Sequence, residues 1–152
     1  MYWSTGWKSS RNALKAEMGC VFCDIADGKA PAEIVWRSDD AVAFLDVRPL
    51  FPGHVLLIPT THVVTLADLP AEQVGPLFQT AQKLERAVEA ALESQGSFVA
   101  VNNRVSQSVL HLHVHIVPRN KGDGLKGFFW PRRGYDSDEH LREVGARIRR
   151  NV

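Results

Sequence analysis

Cysteine is scarce: Cys20 and Cys23 are the only two in 152 residues. One pair cannot build the disulfide framework of a small secreted protein, so a reducing, cytoplasmic setting is the expectation. Long hydrophobic runs are missing too. No stretch approaches the roughly 18–20 apolar residues of a membrane span, and a membrane partner is not expected. Charge of one sign is also lacking. The formal net charge of +1 gives no electrostatic reason to expect nucleic acid as a partner. No internal repeat or low-complexity run breaks the chain. Its length and 45% hydrophobic content fit one globular domain over residues 20–152. Residues 1–19 hold Trp3 and Trp7 among scattered Lys and Arg, without the apolar core of a secretory signal. They read as an extension, flexible or used in assembly.

What is abundant is histidine in one place. Three of the six histidines fall in His111-Leu112-His113-Val114-His115, alternating with aliphatic residues up to Pro118. In a β-strand a period of two sends the imidazoles to one face and Leu112, Val114 and Ile116 to the other. The aliphatic face then buries while three groups that titrate near neutrality share a cleft floor. Neighbours two apart lie about 6.7 Å apart, and His111 and His115 roughly 13 Å. Distinct roles therefore fit better than one three-histidine metal cage; the bland reading is three satisfied polar residues. Neutral imidazole is a competent nucleophile towards phosphorus. His113 has an imidazole on either side, and a charged neighbour disfavours its protonation. It is the expected nucleophile, with His115 donating to a phosphate oxygen or leaving group. Ser106-Gln107-Ser108 is a cradle for phosphoryl oxygens or a polar turn.

The surrounding pattern gives an α+β expectation. Val21–Ala26 is a short helical turn or an extended piece. Ile34–Trp36, Ala41–Asp46, His54–Pro59, Phe98–Val101 and Val109–Val117 read as strands, the last limited by Pro118. Apolar residues from Val74 to Gln95 recur with helical spacing. Pro76 suits a first turn and Gly96 a stop. Ser137 caps a final helix carrying Leu141, Val144 and Ile148. Hairpin-like links favour an antiparallel sheet with helices on one face.

Cys20-x-x-Cys23 offers half of a tetrahedral zinc site. His62 and His111 would complete it, though the long gaps give this only weak support. A redox pair, or two buried thiols, are the alternatives. His54 heads a strand and can fix a neighbour's tautomer. Asp46 can accept from ribose hydroxyls, or simply form a turn.

These residues resemble the signature of the histidine-triad (HIT) nucleotide hydrolases and transferases. The triad, Gln107-Ser108-Val109, Pro52–Pro59 and Cys20-Val-Phe-Cys23 occur in that family's order, from about Cys20 to Arg119. The resemblance implies a five-stranded antiparallel sheet with one long helix and a C-terminal helix, a two-fold dimer, and a purine nucleotide at the triad. It implies catalytic roles for His113, His115 and His54, the middle histidine taking the α-phosphoryl group. Nucleoside contacts map onto Phe22, Ile25, Phe44, Asp46 and Val47, phosphate contacts onto Asn102, Gln107, Ser108 and His115. It also implies a structural zinc on Cys20, Cys23, His62 and His111. The family commonly has a longer, glycine-containing loop where this chain has Asn102–Gln107, so Arg104 is expected to supply charge there. The implied activity is hydrolysis of an AMP-bearing substrate: a nucleoside phosphoramidate, acyl-adenylate or dinucleoside polyphosphate. The rivals are transfer to phosphate or a sugar phosphate, a zinc-stabilised binding protein with little turnover, and a triad-centred zinc hydrolase.

Overall fold

Five strands form one antiparallel sheet in the order β1-β2-β3-β5-β4: β1 Ile34–Arg37, β2 Ala41–Leu45, β3 Val55–Pro59, β4 Gly96–Val101 and β5 Val114–Arg119. The structure is a computed structural model describing residues 19–125 and 133–151. The extension expected at residues 1–19 lies outside the described residues but for Gly19. Helix α1 spans Val21–Ala26, α2 Ala71–Leu92 and α3 Asp138–Arg149.

β2 and β3 are buried on both faces, which is why they read as apolar runs rather than as alternation. Ala41, Ala43, Val55 and Leu57 pack with Leu112, Val114 and Ile116 against Leu77, Ala81, Leu84 and Val88 of α2. Val42, Phe44, Leu56 and Ile58 pack on the other face with Phe22, Cys23, Ile25 and Ala26 of α1. The expectation of helices on one face therefore holds for α2 and fails for α1. Each fully buried Leu or Ile in β3 contributes about 1.5–3 kcal/mol.

Helix α2 starts at Ala71, five residues before the expected Pro76, which sits inside it. Proline there removes the bond to the Glu72 carbonyl, and Glu72 is exposed, where solvent can take the place of that bond. The helix ends at Glu93, whose φ of 51° is left-handed, and Gly96 opens β4 instead of stopping the helix. β5 is shorter than expected at its start and longer at its end. Pro118 lies within it, past the β3 ladder that ends at the Val55–Ile116 pair, so it pairs only with β4. The described residues from Gly122 onward form a second compact unit. In it α3 is capped as expected, the Ser137 hydroxyl accepting from the His140 N–H at 3.0 Å.

A tight turn aims His54. The His54 N–H donates to the Phe51 carbonyl at 3.0 Å, with Pro52 and Gly53 at the central positions of a type II turn. Gly53 has φ +94°, and a Cβ there would lie 2.1 Å from Cδ1 of Leu92. Gly53→Ala is expected to cost about 1–3 kcal/mol, since Leu92 can rotate away but the backbone strain stays. Urea unfolding checks this; an unchanged midpoint would sink it.

Candidate active site and metal centre

Cys20, at the start of α1, and Cys23, one turn on, are both buried. Six residues make a marginal helix alone. Arg37 of β1 closes its end, its guanidinium donating to the Ala26 carbonyl at 2.8 Å and the Ile25 carbonyl at 3.3 Å. The ligand atoms of Cys20, Cys23, His62 and His111 all lie within 4.8 Å of one another. Sγ of Cys20 and of Cys23 are each 3.5 Å from Nδ1 of His111, and Sγ of Cys23 is 3.2 Å from Nδ1 of His62. Tetrahedral zinc with ordinary bond lengths separates S and N ligands by about 3.6 Å, so the residues fit the ion. Nε2–H of His111 donates to the Pro59 carbonyl at 2.9 Å, which leaves Nδ1 with its lone pair for metal.

The other two triad rings stand elsewhere. His113 and His115 have ring centroids 4.8 Å apart and line the same cavity. Nδ1–H of His113 donates to the His111 carbonyl at 2.7 Å, so Nε2 keeps the lone pair. The Leu50 N–H donates to Nδ1 of His54 at 3.2 Å. Nε2–H of His54 must then donate to Nδ1 of His115, 3.0 Å away. This chain of donors puts the His115 proton on Nε2, a buried atom with no hydrogen-bond partner among the described residues. The Asp46 carboxylate lies 3.7 Å from Nδ1 of His54, too far to bond and close enough to act through its field. The expected line of three rings is thus divided. The rings of His113 and His115 line one cavity, but β5 begins only at Val114, and His111 turns to the metal centre.

The cavity measures about 450 Å³ and includes Phe22, Ile25, Phe44, Asp46, Val47, Ser108, His113 and His115 among its walls. Three residues of the expected site do not line it. His54 acts through His115. Asn102 is half-buried just after β4. The Gln107 amide is spent on backbone, accepting from the Arg104 N–H at 2.7 Å and donating to the Val64 carbonyl at 2.6 Å. Leu56 and Arg48 were missed. Leu56 was findable, because it faces Phe44 across β2–β3. Arg48 follows Val47 on the rim, its N–H donating to the Asp46 carboxylate at 2.8 Å; nothing in the pattern marked it.

A family model for the HIT domain matches residues 27–122. The chain belongs to the HIT family. An uncharacterised HIT-like protein of Mycobacterium tuberculosis is 36% identical over 140 residues, covering 89% of this HIT protein and 93% of the relative. The asymmetrical bis(5'-nucleosyl)-tetraphosphatase of Schizosaccharomyces pombe is 34% identical, covering 60% of this chain and 52% of its own. An adenylylsulfatase of Arabidopsis thaliana is also 34% identical, covering 70% and 55%. Among solved structures, a HIT family member from Bacillus subtilis superposes with a TM-score of 0.81 at 31% identity, covering 88% of this chain and 97% of the other. A zinc-bound histidine triad family protein from Mycobacterium smegmatis matches at 37% identity and a TM-score of 0.67, covering 89% and 99%. With the donor geometry above, the Cys–His cluster of this HIT protein has the ligands and spacing to hold a structural zinc ion.

The loop that lacks the HIT family's glycine carries strain instead. Arg104 and Ser106 have φ of 65° and 59°, the left-handed region. Arg104 does not line the cavity; its charge lies near Asp68 and holds that carboxyl below its usual range, after the stronger bonds from Thr65. It does not supply the expected charge to the cavity.

Burial lowers the His115 pKa to about 4, helped by His113 and His54 and opposed by Asp46. Burial also lowers that of His54, against the pull of Asp46. An unfolded chain takes up a proton at about pH 6.5, while folded His115 stays neutral to about pH 4. Between those values the unfolded state binds more protons, so stability falls as pH falls. Denaturant midpoints are expected to be flat above pH 7 and to lose on the order of 2 kcal/mol by pH 4.5. The loss should be smaller in His115→Gln. An identical slope in the two proteins would overturn this.

Proposed function

We propose that this HIT protein is a nucleotidyl hydrolase that cleaves AMP-bearing substrates through a covalent nucleotidyl-His113 intermediate. One observation carries the reading: His113 keeps the Nε2 lone pair in the cavity, 4.8 Å ring to ring from His115 with its unpartnered Nε2–H. A nucleophile and a proton donor thus stand side by side, each held in its tautomer by the neighbour behind it.

Phe22 and Phe44, with ring centroids 5.4 Å apart, and Ile25 and Val47 offer apolar walls to a purine. The free oxygen of Asp46 accepts from ribose hydroxyls. Nε2 of His113 attacks the α-phosphorus, forming the N–P bond as the bond to the leaving group breaks. Nε2–H of His115 hydrogen-bonds the leaving atom and stabilises the charge that develops there, and the leaving group takes any proton it needs from water. A second water then attacks the same phosphorus as the N–P bond breaks and gives its proton to solvent, freeing AMP and His113. The phosphate-facing donors are His115 and Ser108; Gln107, with both ends of its amide on backbone, shapes the loop. Zinc, when bound, would tie α1 to His62 and His111 and would not meet the substrate.

The relatives named as a tetraphosphatase and an adenylylsulfatase support hydrolysis over simple binding. The choices among a phosphoramidate, an acyl-adenylate and a dinucleoside polyphosphate, and of water over phosphate as acceptor, belong to the same proposal. So do the two-fold dimer and the cytoplasmic setting; among described residues no helix is long and apolar enough to cross a membrane. Mass spectrometry of protein quenched during turnover of diadenosine polyphosphate or adenosine phosphoramidate should find AMP on the His113 peptide. Turnover of both with AMP on another residue, or on none, overturns the assignment.

A further inference from the structure

His113 sits one residue ahead of β5, and the sheet does not hold it. The ladders to β3 and β4 both begin at Val114, so the backbone just before it pairs with no strand among the described residues. Other contacts fix this stretch, and they converge on the metal centre. The Leu112 N–H donates to the carbonyl of Val63, the residue after the ligand His62, at 2.7 Å. The ring of His111 is held between the Pro59 carbonyl and the two thiols. Its carbonyl accepts the Nδ1–H of His113 at 2.7 Å. One residue therefore gives its ring to the metal and its carbonyl to the nucleophile. From the side, Phe22 stands between the two cysteines, its ring edge-on to His113 at 5.3 Å and 85°.

We propose that the Cys20–Cys23–His62–His111 site is a positioning device for the nucleophile: bound metal fixes His111 and, through its carbonyl, the place and tautomer of the His113 ring. The tautomer matters because a proton on Nε2 occupies the lone pair that must reach phosphorus. The hydrogen bonds that a metal ligand makes to its neighbours usually serve to orient that ligand. Here the ligand also orients a neighbour that never touches metal. His111 is a positioning residue, and zinc affects the rate without meeting substrate. This inference rests on His113 being the nucleophile.

The test compares the zinc-loaded chain, the chelated chain and the cadmium-loaded chain, whose metal bonds to the same donors are longer. Ring ¹⁵N shifts report the tautomer of His113, quenched-flow mass spectrometry reports adduct formation, and AMP affinity reports the cavity. With zinc, His113 is expected as a single Nδ1–H tautomer. Without metal, in a chain that keeps its far-UV spectrum, mixed tautomers and at least tenfold slower adduct formation are expected, with AMP affinity within threefold and full recovery on adding zinc. One tautomer and an adduct rate within twofold of the zinc form would overturn the proposal. If the chelated chain unfolds, the cadmium form decides: altered His113 shifts with slower adduct formation support positioning, and values identical to zinc overturn it. Absence of any adduct in the zinc form strikes the proposed function instead, and the tautomer measurement still judges the metal's role.

Discussion

His113→Asn is expected to lower turnover of an AMP-bearing substrate on the order of 10³-fold or more, with fold, zinc content and AMP binding retained. Asparagine keeps an amide near the place of Nδ1 but puts nothing at the place of Nε2 and offers no lone pair basic enough to attack phosphorus. His113 is 2% exposed and packs edge-on against Phe22, so the smaller side chain leaves a modest void rather than an exposed charge. The fall should be in the chemical step, because the walls that hold base and ribose are other residues. His115→Asn should cost less, since water can protonate a good leaving group. The two effects should not add, because the rings act as one unit. Steady-state kinetics with diadenosine polyphosphate or adenosine phosphoramidate, beside a Kd for AMP, check this. Activity within tenfold of the parent would remove His113 from the reaction.

Metal removal should have the largest effect on stability. Structural zinc is worth on the order of 10 kcal/mol in domains that cannot fold without it. Here the α2 face of the sheet is a core with no metal ligand in it. The α1 face, by contrast, includes both cysteines and rests on a six-residue helix. Roughly half the full value, about 5 kcal/mol, is the expectation. For a chain of this size that lowers Tm by about 10–20 °C. The paired Cys20→Ser, Cys23→Ser protein should behave as the chelated parent does, and added zinc should not rescue it. Melting curves with zinc and with chelator decide the matter; a shift below about 3 °C would mean the cluster does not hold the fold together.

The triplet was legible because alternation is a local property. Leu112, Val114 and Ile116 do enter one core, and the rings of His113 and His115 do line one cavity. The division of labour among the rings was less legible. Where β5 starts depends on β3 and β4 as partners, and sequence shows no partner. The metal cluster was readable only as a weak pattern, because His62 and Cys23 are 39 residues apart and meet through the fold. Pro76 misled for a physical reason: a proline in the second turn of a helix costs little when the orphaned carbonyl faces water. Gln107 shows the limit of carrying a role across by motif. Its position matches, yet its amide is committed to the Arg104 and Val64 backbone, a pairing set by the left-handed loop and invisible in the string of letters.

Val47 is 88% exposed, and with Arg48 it edges the cavity from a turn outside the sheet. Side chains there have no packing duty, while the floor beneath them is fixed by buried β3 and the histidine chain. Variation at this rim is therefore nearly free of folding cost. A lineage built on such a scaffold can change what the mouth of its cavity admits one surface substitution at a time, leaving the packed floor below as it is.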